Sequence, residues 1–299
     1  MISKKILYAF ILLALFSYTV FQAIKAFRSS LFATKFDRIN FITYSDTTSF
    51  YSIDLAEDRH YQMLFAPDVN IEVPGGYGKY RVGSIGKLVA LEKNPELFKN
   101  SFSHLSSSFV TLYFYETNKE IYYGTDYDKN FVKPSPFYIL SSSSNASVID
   151  KIYLILKFAT IKDSEFVKLE YTKDSNNVLG EINFANASFT KKSQGFFYQH
   201  SLRTEKQSIQ IRYSDSKNAA LTVSEILEGN GIRVSNVAYR RDGRVEECRL
   251  IYSQEKPSRT VTTISEFFNC DVVNGKTDVY DIVIDLNEKQ ENDWKIDIM

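Results

Sequence analysis

The sequence has few cysteines and histidines and no excess of basic over acidic residues. It contains only two cysteines, Cys248 and Cys270, so a four-thiolate zinc site is excluded. The three histidines, His60, His104 and His200, are scattered without the spacing of metal ligands. Lys plus Arg and Asp plus Glu both number 36, which gives a formal net charge of zero. Because nucleic-acid-binding domains normally carry a basic excess, we expect no nucleic-acid partner.

Two glycine-containing segments lack the surroundings of a catalytic or nucleotide-binding motif. Residues 83–86 (GSIG) do not have the spacing of the Gly-x-Ser-x-Gly nucleophile elbow, which argues against serine-triad chemistry. Residues 75–78 (GGYG) precede no βαβ unit with an acidic partner, so neither a Walker loop nor a dinucleotide motif is present. In contrast, 23 Phe and 20 Tyr favour strands and supply apolar surface for two cores.

One long apolar stretch runs from Ile6 to Ile24 (ILYAFILLALFSYTVFQAI) and contains no charge. At about 1.5 Å per helical residue, it nearly spans a hydrocarbon core of about 30 Å. A cleaved signal peptide has a shorter apolar core and a small-x-small cleavage site, and a buried soluble helix is also usually shorter. The stretch therefore predicts an uncleaved membrane anchor, with these two as the alternatives.

The charges that flank this stretch barely decide its orientation. Lys4 and Lys5 precede it, while Lys25, Arg28 and Lys35 follow it. A short N-terminal tail ahead of a large domain usually stays inside, with the domain outside. We therefore expect a single-pass membrane protein with extracytoplasmic C-terminal domains.

The remaining chain predicts two α/β domains joined by a linker. The predicted divisions are residues 1–36 for the anchor and spacer, 37–171 for the first domain, 172–206 for the linker and 207–299 for the second domain. The linker is rich in Asn, Ser, Lys and Thr. Two aromatic islands within it indicate a connection with one strand rather than a free coil.

In the first domain, runs rich in aromatic and β-branched residues alternate with turn residues. The predicted strands are residues 39–44, 48–55, 61–66 and 109–115. The predicted helices are residues 85–91, a segment from Pro95 to Leu105 and residues 148–161. Residues 72–81, with one proline and three glycines, predict a shaped loop, and residues 124–144 are irregular.

The second domain has a regular pattern of strands and helices. The predicted strands are residues 208–213, 232–238, 247–252, 271–273 and 281–286. Asp215 or Ser216 caps a first helix that stops at residues 229–231, and Pro257 and Ser258 open a second. The order β-α-β-β-α-β fits a split βαβ sandwich. The fold class is therefore α/β of the α+β kind, and we expect Trp294 to pack on this domain or lie in a frayed terminus.

Four basic residues form a candidate ligand site. Arg59, Lys79, Arg81 and Lys87 are expected to converge around the glycine loop and bind a phosphate or an anionic sugar, helped by loop N–H groups. The alternative is a solvated loop face, because charged side chains are usually exposed.

The two cysteines also have two interpretations. In an extracytoplasmic domain, Cys248 and Cys270 can form a disulfide, which would stabilise the fold by about 3 kcal/mol on the entropic model. Alternatively, both are buried thiols, since cysteine is often a small core residue.

The first domain resembles the LytR-CpsA-Psr family over roughly residues 38–115. The resemblance rests on Asp46-Thr47 at the start of the second strand, Pro67-Asp68 after the third, and a Pro-Gly loop with Lys79. Members of that family are membrane-anchored, extracytoplasmic and transfer phosphate-linked glycopolymers from polyprenyl carriers to the cell wall. The resemblance implies a mixed-sheet domain in which Asp46 and Asp68 would help to hold Mg²⁺.

This chain departs from the family pattern at its arginines. Pro-Arg-Asp has become Pro67-Asp68, and residues 124–144 contain no arginine at all. Phosphoryl transfer needs cations to neutralise the transferring group, so their loss predicts a relative without the activity. Without a metal, Asp46 and Asp68 are simply carboxylates that cap turns.

The second domain resembles the LytR C-terminal domain over about 85 residues. Residues 209–213, the helix ending at Gly231, residues 249–252 and residues 281–286 carry the resemblance. The loop Ser214-Asp215-Ser216 lacks the usual Asn-Gly. The resemblance implies a small βαββαβ module with no catalytic signature.

Three functions follow from these observations. The first is a non-catalytic envelope protein, without a cofactor, that binds or scaffolds a cell-wall glycopolymer or envelope partners. The second is a divergent phosphotransferase in which Asp46 and Asp68 hold Mg²⁺ and basic residues hold a polyprenyl-pyrophosphate lipid. The third is an assembly subunit that acts only through protein surfaces, for which a large exposed apolar patch would be the sign.

Overall fold

The computed structural model describes residues 4–28, 30–33, 36–45, 47–116, 133–171, 173–174, 182–241 and 243–296. Helix α1 (Lys4–Arg28) is apolar. None of its stretch from Phe10 to Arg28 is buried against the rest of the protein. Within the described chain, it is the one helix long and apolar enough to cross a membrane. Just beyond α1, the N–H of Leu31 donates to Asp150 at 2.7 Å, which fixes the end of the spacer on the first domain.

In its described residues, the first half of the chain contains ten strands and six further α-helices. The strands are β1 (Arg38–Tyr44), β2 (Thr48–Asp54), β3 (His60–Phe65), β4 (Asn70–Val73), β5 (Gly78–Arg81), β6 (Val110–Tyr115), β7 (Ser143–Ser144), β8 (Phe166–Leu169), β9 (Lys173–Asp174) and β10 (Asn183–Phe184). The helices are α2 (Ile85–Glu92), α3 (Glu96–Ser106), α4 (Pro136–Ser141), α5 (Val148–Thr160), α6 (Asn186–Ser193) and α7 (His200–Glu205).

These strands form two mixed sheets. The larger has the order β7-β6-β1-β2-β3-β8, and the smaller has the order β5-β4-β10-β9. Every residue of β1 and β2 is buried, because the two faces of the larger sheet pack against different cores. Phe41 and Tyr51 lie in the core beneath α5, while Ile42 and Phe50 lie in the core beneath α3. This two-sided burial is the physical reason that residues 39–44 are almost continuously apolar.

The described part of the second half contains five strands and three helices. They are β11 (Ser208–Tyr213), α8 (Lys217–Gly229), β12 (Arg233–Tyr239), β13 (Arg249–Tyr252), α9 (Arg259–Phe268), β14 (Asp271–Asn274), β15 (Ile282–Asp285) and α10 (Glu288–Trp294). The sheet order is β12-β11-β15-β13-β14. Ser216 and Ser258 cap α8 and α9 by accepting hydrogen bonds from backbone N–H groups. Cys248 and Cys270 are joined in a disulfide with their Cα atoms 4.6 Å apart, the first of the two alternatives.

The mixed α/β class is confirmed, and several local expectations need correction. The shaped loop predicted at residues 72–81 is the turn and flanking strand ends of a hairpin, because β4 and β5 pair antiparallel across it. The predicted linker contains α6 and α7, and Phe189 and Phe197 within it are buried. The sequence pattern also missed α10, on which Trp294 is buried against Phe267 and Phe268.

The two halves pack directly against each other. Phe109, which precedes β6, belongs to the core of the second half, and its ring centroid lies 4.5 Å from that of Phe267. A Cβ atom on Gly229 would lie 1.6 Å from the backbone oxygen of Ser107, so only glycine allows α8 to approach the end of α3 this closely.

Candidate functional site

The four basic residues predicted to converge lie in three different places. Lys79 and Arg81 are exposed on one face of β5, because residues two apart on a strand point the same way. Lys87 is exposed on α2. Arg59 lies between β2 and β3, where it lines a small cavity that includes none of the other three.

The glycine loop that would help them is bonded to the C-terminal segment of the chain. The N–H groups of Gly75 and Gly76 donate to the carbonyl of Lys295 at 2.9 and 3.3 Å. Both glycines have positive φ angles, 101° and 76°, which residues with a side chain rarely adopt. These two donors therefore already have an acceptor, and an anion at this loop would have to displace it.

The structure describes only one of the two candidate metal ligands. Asp68 is exposed in the turn between β3 and β4, and Asp46 lies outside the described residues. Among the residues that are described, no group of three or more His, Cys, Asp or Glu side chains is arranged to hold a metal ion. The Mg²⁺ assignment for Asp46 and Asp68 rests on the sequence alone and stays a prediction.

The structure instead contains a cavity of about 540 Å³, which we call the interdomain cavity. It lies between the end of α3, the segment from α6 to α7, and the end of α8. Its charged lining residues are Lys191, Arg203, Arg233, Glu225 and Glu228. Hydroxyl and amide groups come from Ser106, Ser107, Thr190, Ser193 and Gln194, and aromatic rings come from Phe197 and Tyr198.

The floor of the interdomain cavity is fixed by Gly229-Asn230-Gly231. Asn230 is fully buried, and its side chain donates to the carbonyl of Ile226 at 2.7 Å. Its backbone carbonyl accepts a hydrogen bond from the N–H of Gln199 at 3.1 Å, which ties α8 to the start of α7. Gly231 has a φ of +86°, and a Cβ atom there would lie 3.2 Å from the ring of Tyr198.

Two carboxylates of this lining have perturbed ionisation. Glu225 and Glu228 are one turn apart on α8, and desolvation raises the pKa of both. The negative charge of Glu225 raises the pKa of Glu228 further. These carboxyl groups therefore favour a proton or a hydrogen-bond donor more than freely solvated glutamates do. On the opposite wall, the guanidinium of Arg203 stacks on the ring of Tyr198 at 5.1 Å.

A buried histidine, His104, lies close to the contact between the two halves of the chain. Nε2 of His104 is 2.8 Å from the side-chain nitrogen of Asn186 and 3.6 Å from a carboxylate oxygen of Glu72. The nearby imidazole of His104 lowers the pKa of Glu72, against the effect of burial. The three side chains come from α3, α6 and the hairpin strand β4, so they bind the linker to the first half.

Sequence reasoning missed the interdomain cavity because it treated residues 172–206 as a connection. The aromatic islands at residues 184–189 and 196–198 were the available signal, since Phe189 and Phe197 are the buried anchors of this segment.

Comparisons with known proteins find only distant structural similarity. No family model matches the chain, and no curated protein matches it. Among solved structures, the transcriptional regulator YvhJ from Bacillus subtilis is 6% identical, with 53% of this chain and 94% of that chain covered and a TM-score of 0.36.

Two further solved structures are similar at the same level. TagT from B. subtilis is 8% identical, covers 52% of this chain and 88% of that chain, and has a TM-score of 0.34. A transcriptional regulator from Enterococcus faecalis is 9% identical, covers 66% and 88%, and has a TM-score of 0.33. Similarities of this size assign neither a family nor a function, and the LytR-CpsA-Psr resemblance stays a prediction.

Proposed function

We propose that this chain is a membrane-anchored, extracytoplasmic envelope protein that binds a saccharide segment of a cell-wall glycopolymer without modifying it. The observation that carries the proposal is the lining of the interdomain cavity. Its volume of about 540 Å³ lies within the range of about 300–1,000 Å³ that is usual for small-molecule sites.

The chemistry of the lining suits a sugar. Sugar hydroxyls both donate and accept hydrogen bonds, and the cavity offers acceptors on Glu225 and Glu228 and donors on Lys191, Arg203 and Arg233. Serine and threonine hydroxyls can do either. The ring of Tyr198 supplies an apolar surface for the C–H face of a sugar. A purely apolar ligand would leave these charged groups without partners, at a cost in free energy.

Two features support a binding role rather than transfer of the polymer. The arginines of the LytR-CpsA-Psr pattern are missing, and the glycine loop donates to the carbonyl of Lys295. A phosphotransferase would need Asp46 and Asp68 to hold Mg²⁺ and a basic pair such as Lys79 and Arg81 to neutralise a lipid pyrophosphate. Mg²⁺-dependent turnover of a polyprenyl-pyrophosphate saccharide by the full chain would show that the non-catalytic part of the proposal is wrong.

The extracytoplasmic location is supported by α1 and by the disulfide. Helix α1 is long and apolar enough to cross a membrane, which supports the anchor. Disulfides persist in oxidising compartments, and Cys248 and Cys270 are bonded. Accessibility of Arg241 to trypsin in intact cells would test this location.

The binding role is tested with the full chain in lipid nanodiscs on an array of neutral, amino and uronate-bearing oligosaccharides. We expect saturable binding that is weakened by Glu228→Ala and by Tyr198→Ala. Lys87→Ala is the matched control, because Lys87 is exposed and lies outside the cavity. No binding to any oligosaccharide at about 1 mM, or equal loss in the control, would overturn the proposal.

A further inference from the structure

A second, smaller cavity of about 190 Å³ lies on the other side of Tyr198 and Arg203. We call it the arginine cavity, because Arg38, Arg59 and Arg203 all line it. Arg38 opens β1, Arg59 precedes β3, and Arg203 belongs to α7. Tyr198 and Arg203 also line the interdomain cavity, so the two cavities share a wall.

Two of the carboxylates in this lining are already committed to the fold. Oδ2 of Asp54 pairs with Nη2 of Arg38 at 2.5 Å, and Oδ1 accepts the N–H groups of Ala56 and Glu57 at 2.9 and 3.0 Å. Oδ2 of Asp37 accepts the N–H of Ser201 at 2.5 Å. Its Oδ1 lies 3.6 Å from the guanidinium of Arg259. Neither Asp37 nor Asp54 is therefore left to neutralise the other two arginines of the lining, Arg59 and Arg203.

One donor of the lining is buried and unsatisfied. Nε of Arg38 is buried and has no hydrogen-bond partner, although Nη1 donates to Ser52 at 2.8 Å and to the carbonyl of Arg59 at 3.2 Å. Within the described parts of the chain, the guanidinium groups of Arg59 and Arg203 have no ion-pair partner. Leaving a buried donor unpaired costs about 1–3 kcal/mol. Glu57 is exposed at the rim and is the one remaining lining carboxylate among these residues.

We propose that the arginine cavity binds an oxyanion, a phosphate or carboxylate group, through Arg38, Arg59 and Arg203. Guanidinium groups present two parallel N–H donors that match the oxygens of such a group. The cavity is about a third of the size of its neighbour, which suits a single charged group rather than a sugar chain. The anion can be free, or it can be carried by a saccharide whose ring occupies the interdomain cavity across the shared wall.

The site is tested by calorimetry on the full chain in nanodiscs, with inorganic phosphate and acetate as probes. Arg59 and Arg233 are both exposed arginines, and each lines only one of the two cavities. They are therefore a matched pair for substitution by glutamine. We expect Arg59→Gln to weaken phosphate binding about tenfold or more, the loss of one charge-assisted contact, and Arg233→Gln to leave it unchanged.

A second arm of the experiment identifies the source of the anion. If one ligand spans both cavities, glucose 1-phosphate binding is weakened by Arg59→Gln and by Arg233→Gln. If the anion binds alone, only Arg59→Gln weakens it. Absence of phosphate and acetate binding, or equal binding by the wild type and Arg59→Gln, would overturn the anion site. Binding of neutral oligosaccharides is measured separately, so the anion site and the saccharide proposal can fail independently.

Discussion

The two larger sheets of this chain differ in how many of their faces are covered. In the first half, β1 and β2 are buried on both faces, and aromatic rings fill the space on each side. In the second half, Ile209 and Ile211 of β11 point into the core, while Gln210 and Arg212, which alternate with them, are only half-buried. The first sheet is thus covered by a core on both faces, whereas the second has a core on one face only.

This difference has a consequence for what holds each half together. The first half depends on stacked and edge-on aromatic pairs, such as Phe41 with Tyr51 at 5.1 Å. The second half has a smaller share of such pairs and adds a disulfide and an ion-pair network. In that network, buried Asp285 binds Arg212 at 2.5 and 2.8 Å and Arg240 at 3.1 Å. Smaller cores generally need such additional constraints.

The largest expected effect is removal of an aromatic ring from the two-sided core. Phe41 is fully buried, with the rings of Tyr51, Phe114 and Phe158 within 5.9 Å. Phe41→Ala should lower the free energy of unfolding of the first half by about 3–5 kcal/mol, through lost burial and a cavity. Urea denaturation of the full chain in nanodiscs measures this. Leu91→Ala is the control, since Leu91 is 78% exposed and should change little.

The second prediction concerns the disulfide and tests the other half of the comparison. Replacing Cys248 and Cys270 by alanine opens a loop with a sequence separation of 22 residues. The unfolding free energy of the second half should fall by about 3 kcal/mol on the chain-entropy model. Hydrogen exchange should speed up in β13 and β14 and stay unchanged in β1 and β2. Equal acceleration in both halves would show that the disulfide stabilises the whole molecule rather than one sheet.

Sequence patterns predicted every strand of the second sheet and the four central strands of the first, but not its edge strands β7 and β8. Aromatic and β-branched runs such as residues 39–44 carry a strong local signal, and β1 begins within one residue of the prediction. Helix α6 (NASFTKKS) carries almost none, because Phe189 is its one large apolar residue. It is held by tertiary packing of Phe189 on Phe184, with ring centroids 5.2 Å apart. Propensity cannot supply that information.

The candidate site was harder to predict than the fold, because it is made of distant residues. Ser107, Lys191 and Glu228 line one cavity but lie far apart in the sequence. The glycine loop was recognised as a conformational feature, and the positive φ angles of Gly75 and Gly76 agree with that. Its acceptor, the carbonyl of Lys295, is about 220 residues away and has no local signal. Local composition therefore predicts the unusual backbone conformation of the glycine loop but not the carbonyl to which the loop donates.

The third prediction concerns the contact that makes the two halves one unit. Gly229→Ala places a methyl carbon against the backbone oxygen of Ser107, so α8 must move away from α3. We expect a loss of about 1–3 kcal/mol in stability and weaker oligosaccharide binding, because the floor of the interdomain cavity shifts. Gly275→Ala is the control, since its methyl group would meet only the Ile251 side chain at 3.2 Å. Unchanged saccharide binding by Gly229→Ala would show that the cavity does not depend on the contact between α8 and the end of α3.

The smallest expected effect is a difference in pH dependence between two glutamates at the border of the halves. Desolvation raises the pKa of Glu228 in the folded state, so its stabilising contribution is complete below the unfolded pKa and is lost as pH rises through the folded value. The nearby imidazole of His104 lowers the pKa of Glu72, so the contribution of Glu72 is present above the unfolded pKa and is lost as pH falls through the folded value. Glu228→Gln should therefore raise the melting temperature relative to wild type near pH 7, and Glu72→Gln should lower it. Both differences should shrink toward acid pH, and melting curves with shifts of the same sign would show that the two carboxylates do not differ in this way.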